Sequence, residues 1–558
     1  MIVSLNYNTR KITVALIRRK KDKIESSCSP RGHLHSTRDM YRQLLLLTTL
    51  VVVGEAYKVL VVFPFPSRSH SILGDGVVNA LAKAGHQVTY ITPFPKAKTA
   101  SNIRELDVST NKAFIPDDTR DHLESHLNNT RLDLKLATFV TTLSKMFANT
   151  IETKAVQKLI NDPNEKFDVI IIEWLFFELY AGLSAVFNCP FIWVSPVDPH
   201  WKMLALVDDV ANPAYTPDIL SDILPPFSFV QRVKELGLQI FGLGLQYFVI
   251  YPILLEDYNR ILVPVIQKRG LPVPPLQDLI YNASLVLSNS HPSVGKTTSL
   301  PQNYIPVGGY HIGREVKPLP ENLKKLLDNS KDGLIFFSLG SNIKSKYLPD
   351  QLKQSLLKMF GGLKQTVLWK FEEDLPGTPP NVHIVQWAPQ HSILAHPNCI
   401  IFLTHGGLLS TTEAIHFGKP IIAIPVFADQ FTNAKRAVQK GFGIYLKLTY
   451  NLADDIKAAV QEMLSNPRYS LKAKELSVIY HHRPLTPDKE LVHWVEHVVK
   501  TGGAPHLRSL ALMVPWYQKL YLDLLAVIVI LIYAIVFAIK KVISYFRKNK
   551  TKSKRKTK

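Results

Sequence analysis

Cysteine is nearly absent: Cys28, Cys189 and Cys399 are the only three in 558 residues. A disulfide-dense scaffold is thereby excluded, and no cluster of His, Cys and Asp at metal-ligand spacing stands in the chain. Acid is missing from the carboxyl end, where residues 540–558 hold ten Lys/Arg and no Asp or Glu. Residues 1–39 carry +6 and residues 540–558 carry +10, so the net charge of +21 leaves only +5 on the body. A nucleic-acid binder carries its basicity on one face of a folded domain. Here it belongs to the termini, so no nucleic-acid partner is expected. Residues 1–39 also lack the short basic start, apolar core and small-residue cleavage site of a secretory signal. Those features stand instead at 40–56, in Met40-Tyr-Arg-Gln, Leu44–Val53 and Gly54-Glu55-Ala56. Residues 1–39 are therefore read as an unstructured upstream extension, 40–56 as a signal peptide and Tyr57 as the mature start. A cytosolic arm before an uncleaved anchor is the alternative.

What the chain does have at its carboxyl end is an apolar run. Residues 520–539 are apolar except for Asp523, with 16 uncharged residues from Leu524 to Ile539. That is near the lower limit for a membrane-spanning helix. The basic block after it places residues 540–558 in the cytosol and the body on the other side, a single-pass type I arrangement. A buried core helix is the alternative. Lys554 and Lys556 resemble the di-lysine retrieval signal of endoplasmic reticulum proteins, although a tail this basic supplies such spacing by coincidence. Asn128 and Asn282 open glycosylation sequons.

The amino-terminal half alternates strands and helices. Tyr57–Phe63 (YKVLVVF), residues 86–93, 167–172 (FDVIII) and 190–195 (PFIWVS) read as buried strands, and residues 71–84 as a helix closed by Gly85. His70 follows the first strand, close to a helix N-terminus, which disfavours added positive charge. A general base near neutral pH must be an uncharged imidazole. Phe227–Tyr251 is strongly apolar and offers three readings: an acceptor-pocket wall, a patch on the bilayer, or helices packed in the domain. A second set of strands is expected from about Ile305 onward, including residues 334–342 (LIFFSLGSN), 366–371 and 382–385.

The most informative stretch is Trp387–Gln430. Cys399–Thr404 (CIIFLT) is a strand buried on both faces, broken by His405-Gly406-Gly407. Residues 408–417 have helical spacing and end at Gly418, followed by a second buried strand, IIAIPVF, and Ala428-Asp429-Gln430. A Gly-Gly step before a helix N-terminus lets a backbone approach phosphate.

In order, these residues are Trp-Ala-Pro-Gln, Thr-His-x-Gly-x-x-Ser-x-x-Glu, Gly-x-Pro-x-x-x-x-Pro and Asp-Gln. This signature resembles that of the UDP-glycosyltransferases, and its Gly-Gly-Leu-Leu-Ser form is most similar to insect members. The resemblance implies an α/β fold of GT-B type: two doubly wound Rossmann-like domains facing across a cleft, here with one C-terminal transmembrane helix. Residues 57–304 would be the acceptor-binding domain, 305–500 the UDP-sugar-binding domain and 501–519 a juxtamembrane segment. The resemblance also implies roles. His70 would be the catalytic base. Glu173 stands where the family has the Asp that orients that base, one methylene longer, with Glu178 as the alternative partner. Trp387 would stack on uracil and Gln390 would bind the ribose. His405, Gly407 and Ser410 would hold the diphosphate with Ser341, and Glu413 the ribose hydroxyls. Asp429 and Gln430 would grip the sugar. Where plant members have Trp-Asn before the serine, this chain has Leu408-Leu409, so those contacts do not transfer.

The implied activity is inverting, metal-independent transfer of a hexose, with glucose expected, from a UDP-sugar to a hydroxyl of a small lipophilic acceptor. It would serve detoxification or hormone or pigment conjugation, in the endoplasmic reticulum membrane with the body lumenal. No cofactor beyond the UDP-sugar co-substrate is implied, and a homo-oligomer is compatible. The alternative is a catalytically weak or non-catalytic UDP-sugar-binding relative, for which the unusual Glu173 is the one hint.

Overall fold

The computed structural model describes residues 56–556, except 116, 118, 130–135, 219, 220, 222, 296, 297 and 314. The proposed extension and signal peptide lie outside the described residues. Two parallel sheets carry the fold. Strands β1 (Lys58–Val62), β2 (Gln87–Thr92), β3 (Ile103–Asp107), β4 (Val169–Glu173), β5 (Phe191–Ser195), β6 (Leu285–Ser288) and β7 (Tyr304–Pro306) form the first, in the order β3-β2-β1-β4-β5-β6-β7. Strands β8 (Leu334–Ser338), β9 (Thr366–Lys370), β10 (Val382–Val385), β11 (Cys399–Thr404), β12 (Ile421–Ala423) and β13 (Gly443–Tyr445) form the second, in the order β10-β9-β8-β11-β12-β13. Helices cover both faces, which is why β4, β5 and β8 are buried at every position and read as unbroken apolar runs.

In each sheet the strand order reverses at the centre, between β1 and β4 and between β8 and β11. Such reversals open a crevice at the strands' carboxyl ends, where α/β proteins bind ligands. The register places Val62 beside Ile172 in the first sheet and Ser338 beside Thr404 in the second. The loops after β1 and β4 therefore leave side by side, as do those after β8 and β11.

Two expected boundaries shift. Residues 304–306 pair with β6, so they close the first sheet rather than open the second, which begins at Leu334. An apolar triplet this short carries no signal for which sheet it joins. The helix Pro487–Lys500 returns to the first domain, where Leu491, Val495 and Val498 pack in one core with Val59, Val61 and Leu285. At the carboxyl end the helix Leu522–Lys556 contains the expected apolar run from residue 522 onward, residues 520 and 521 forming the turn before it, and continues through the basic block. Its residues Leu522–Lys548 are long and apolar enough to cross a membrane. Cys189 and Cys399 are free, and burial pushes both thiols up to about 12, which leaves them unreactive.

The two domains touch across the cleft through polar contacts. Ser67 Oγ donates to Asn342 Oδ1 (2.9 Å), Thr119 Oγ1 to the Asn342 carbonyl (3.1 Å) and Thr432 Oγ1 to the Ser221 carbonyl (2.7 Å). Arg436 Nη1 meets Asp198 Oδ2 at 2.5 Å, both nearly buried.

Candidate active site

His70 stands in the first turn of the helix Arg68–Lys83, straight after β1, and Glu173 is the last residue of β4. Because β1 and β4 are neighbours, the two side chains meet, His70 Nδ1 lying 2.5 Å from Glu173 Oε1. The Phe65 ring packs on the imidazole at 4.7 Å. Glu173 is fully buried, and its Oε2 has no hydrogen-bond partner among the described residues. A buried carboxylate whose hydrogen bonding is spent on one histidine is suited to orient that ring. Glu178 is engaged elsewhere: it accepts from Trp174 Nε1 (3.0 Å) and Gln246 Nε2 (2.9 Å), with Lys202 Nζ at 3.6 Å. It does not orient His70.

On the facing domain, the loops after β8 and β11 hold the second half of the site. His405 lies in a slot between two glycines. A Cβ on Gly340 would stand 2.6 Å from His405 Cε1, and one on Gly407 would stand 2.4 Å from Nε2. Gly340 also needs its positive φ of 82° for the turn. Burial, with Lys370 assisting, pulls His405 down to about 4, so its ring is uncharged at neutral pH. Lys370 Nζ donates to the Gly340 carbonyl (3.2 Å) and pairs with Glu372 (2.5 Å). Gly407 caps the helix Leu408–His416, and Ser341 sits half-buried in the neighbouring turn. Free N–H groups at this helix start suit an anion.

Trp387 is 64 % exposed, an open flat surface of the kind a base needs. Gln390 Nε2 donates to Ser410 Oγ (3.2 Å) and Glu413 Oε2 (2.6 Å), joining three of the expected residues in one network. Glu413 is buried. Burial alone would raise its carboxyl, but His391 and His311 at 3.1 and 3.3 Å outweigh this and hold it well below the usual range. Burial lowers His391, and Glu413 overcomes that to raise it. Sequence reasoning missed both histidines. His391 directly follows Gln390, whereas His311 comes from the Gly-Gly-Tyr-His loop after β7, with no spacing that links them. Their ligand atoms and that of Glu413 lie within 4.8 Å of one another, a grouping of metal-ligand residue types that the linear sequence hides.

Asp429 and Gln430 follow β12. Burial raises the Asp429 carboxyl, opposed by Asn433 (2.8 Å) and Arg436, and His70 across the cleft is among the charges acting on it. Gln430 Oε1 accepts from the Val426 and Phe427 amides at 2.9 and 3.1 Å, which leaves its amide NH2 for a ligand.

Paired parallel sheets, with a histidine–carboxylate pair on one and a glycine turn before a helix on the other, form a GT-B architecture. The family described as UDP-glucoronosyl and UDP-glucosyl transferase matches residues 58–557, and the chain belongs to it. It is 31% identical to UDP-glycosyltransferase UGT5 of Dactylopius coccus over 503 residues, 89% of this chain and 93% of that one. It is 26% identical over 535 residues to 2-hydroxyacylsphingosine 1-beta-galactosyltransferase of Rattus norvegicus, covering 92% of this chain and 93% of the relative. Among solved structures, CalG4, the calicheamicin glycosyltransferase, superposes with a TM-score of 0.50 at 16% identity, over 80% of this chain and 99% of that one.

Proposed function

We propose that the chain transfers a hexose, with glucose the expected one, from a UDP-sugar to a hydroxyl of a small lipophilic acceptor, with inversion at the anomeric carbon. The observation that carries this is the 2.5 Å contact of His70 with the buried Glu173 at the carboxyl ends of β1 and β4. The acceptor oxygen would attack the anomeric carbon while its proton passes to His70 Nε2. The bond from that carbon to the diphosphate oxygen breaks with its electron pair, and UDP leaves. Glu173 holds the imidazole in the tautomer with a free Nε2 and stabilises the imidazolium as it forms. The charge growing on the diphosphate would meet the N–H groups at the start of the 408–416 helix, the neutral His405 ring and the nearby Lys370 ammonium. This scheme is metal-independent and uses no cofactor besides the co-substrate.

Two observations support a neutral sugar. UDP-glucuronate would want a cation beside its carboxylate, yet Arg436, whose charge acts on Asp429, is paired with Asp198 at 2.5 Å. The relatives from Dactylopius coccus include one named UDP-glucosyltransferase 2. The charge asymmetry across the span supports a lumenal body and cytosolic tail in the endoplasmic reticulum membrane, a setting suited to conjugating lipophilic metabolites, hormones or pigments. The non-catalytic alternative loses its motive, since Glu173 reaches His70 despite its extra methylene.

The deciding experiment incubates the full chain in membranes with UDP-glucose, UDP-galactose or UDP-glucuronate and a panel of phenols, steroids and plant metabolites, with products read by mass spectrometry. Glucosides that vanish with His70→Ala are expected. UDP binding without turnover across the panel would favour a binding protein. Glucuronides alone would overturn the donor assignment.

A further inference from the structure

The helix Phe229–Leu245, continued by Gln246–Ile250, is built inside out. Its inward face is polar at Glu235, Gln239 and Gln246, with Ile250 entering the core only at the end. Glu235 and Gln239 are only 2 % and 5 % exposed. Glu235 accepts from the Asp218 amide (2.8 Å) and the Ser221 hydroxyl (2.5 Å). Gln239 Nε2 donates to the Ala211 carbonyl (3.1 Å), and Gln246 Nε2 to Glu178 (2.9 Å). Its outward face is apolar. Val230, Ile240, Phe241, Tyr247 and Phe248 project into solvent, Phe248 at 75 % exposure. Residues 236–255 hold no charged side chain. A helix on a water-facing surface has the opposite pattern, and an exposed apolar strip of this length needs an apolar cover.

We infer that this strip lies flat on the lipid bilayer, a second membrane contact beside the C-terminal span. The inference rests on the reading of residues 522–548 as that span. Continuity between the two elements argues for lipid over a protein partner. The loop 208–211 that receives Gln239 also holds the segment leading into the span. Ser509 Oγ hydrogen-bonds Asp208, and Lys519 Nζ lies 3.3 Å from Asp209 Oδ1. That segment is itself exposed and apolar at Leu510, Met513, Trp516 and Tyr517, with the two aromatics just ahead of the span. Aromatic rings at that position belong at a membrane interface. Arg232 and Lys234, exposed at the start of the inside-out helix, suit the headgroup layer.

The consequence reaches the cleft. Glu235 ties the helix to residues 218–221, and Ser221 meets Thr432 of the donor domain at 2.7 Å. Gln246 ties it to Glu178 and, through Trp174, to the end of β4 beside Glu173. The rim of the acceptor side is thereby held at the bilayer surface, where lipophilic acceptors concentrate.

The test uses the full chain in phosphatidylcholine vesicles, labelled with an environment-sensitive dye at Phe248→Cys or Ile240→Cys. A label on Lys472→Cys reports the water-facing body and one on Ile530→Cys reports the span. UDP binding checks folding of each variant. Brominated lipid should quench the dyes at 248 and 240 at least about threefold more than at 472, with iodide from water doing the reverse. Iodide quenching at 248 and 240 equal to that at 472 overturns the inference, provided the dye at 530 is lipid-quenched. Failure at 530 overturns the span itself. Protection at 248 that disappears when the protein-to-lipid ratio falls tenfold assigns the strip to a second copy instead.

Discussion

His70 Nδ1 and Glu173 Oε1 lie 2.5 Å apart because β1 and β4 are parallel neighbours at the reversal point of the first sheet. A carboxylate can only accept this bond, which fixes the proton on Nδ1 and leaves Nε2 to take one. Glu173→Gln keeps the shape but can donate as well as accept, so the wrong tautomer becomes available. A kcat loss of about a thousandfold is expected, with donor KM little changed. His70→Ala should lose at least as much. Glu173→Asp, which keeps the charge but shortens the reach, should lose about tenfold. Steady-state kinetics on all three checks this. A Gln variant with more than half the wild-type kcat would remove Glu173 from the mechanism.

The slot around His405 separates two kinds of glycine. Gly407 has an ordinary φ of −60°, so Gly407→Ala adds a clash, its methyl 2.4 Å from the His405 ring, but no backbone strain. Gly340→Ala adds both a 2.6 Å clash and the strain of φ 82°. Both variants should weaken UDP binding by tenfold or more. Both should lower thermal stability through the clash with the buried ring, and Gly340→Ala should do so by about 1 kcal/mol more, because it adds the backbone strain. Calorimetric titration with UDP beside a thermal melt distinguishes them. Unchanged UDP affinity in Gly407→Ala would place the diphosphate away from His405.

Lys370 brings a cation to that slot, its Nζ reaching the carbonyl of Gly340 at 3.2 Å. If it meets the diphosphate charge, Lys370→Met should weaken UDP about tenfold while leaving uridine, which has no phosphate, within about twofold. Lys370→Arg should recover most of the loss. A parallel fall in uridine and UDP affinity would mean that the lysine merely braces the turn, for example through Glu372 at 2.5 Å.

Much of this was legible in the sequence because parallel strands covered on both faces are continuous apolar runs. VIIIE, FIWVS, LIFFS and CIIFLT are such runs, and each is a buried strand. The glycine turn after β11 announces itself by composition. What stayed hidden depends on chain segments meeting from afar. YIP at 304–306 is too short to assign to a sheet, and the 487–500 helix has an apolar stripe but no mark of which domain it seals. Lys370 sits in an ordinary-looking strand, and His311 is 80 residues from its neighbour His391. For residues 229–250 the apolar content was visible but not its direction. Only the partners of Glu235, Gln239 and Gln246 show that the polar face turns inward.

Buried histidines give the fold a pH dependence of known sign. Burial lowers His291 to about 3, with Arg483 and Lys440 adding to it. His416 falls to about 3 by burial and by His481, His391 and His311, and His405 to about 4 by burial and Lys370. In the unfolded chain each titrates near 6.5. Between pH 6.5 and 4 the unfolded state therefore binds more protons than the folded one, and stability falls as pH drops through that window. Each histidine contributes up to about 1.4 kcal/mol per pH unit, so His405 alone accounts for roughly 3 kcal/mol. His391 runs the other way: raised by Glu413 against its burial, it supports the fold below 6.5 and loses that support as pH rises through its folded value. One such group does not offset three. Urea midpoints of the detergent-solubilised chain should therefore decline steadily from pH 7.5 through 6.0 to 5.0, and UDP-free protein should show the decline most clearly. A midpoint that stays level down to pH 5.0 would show that these three rings gain water or partners in the folded protein that spare them the burial penalty.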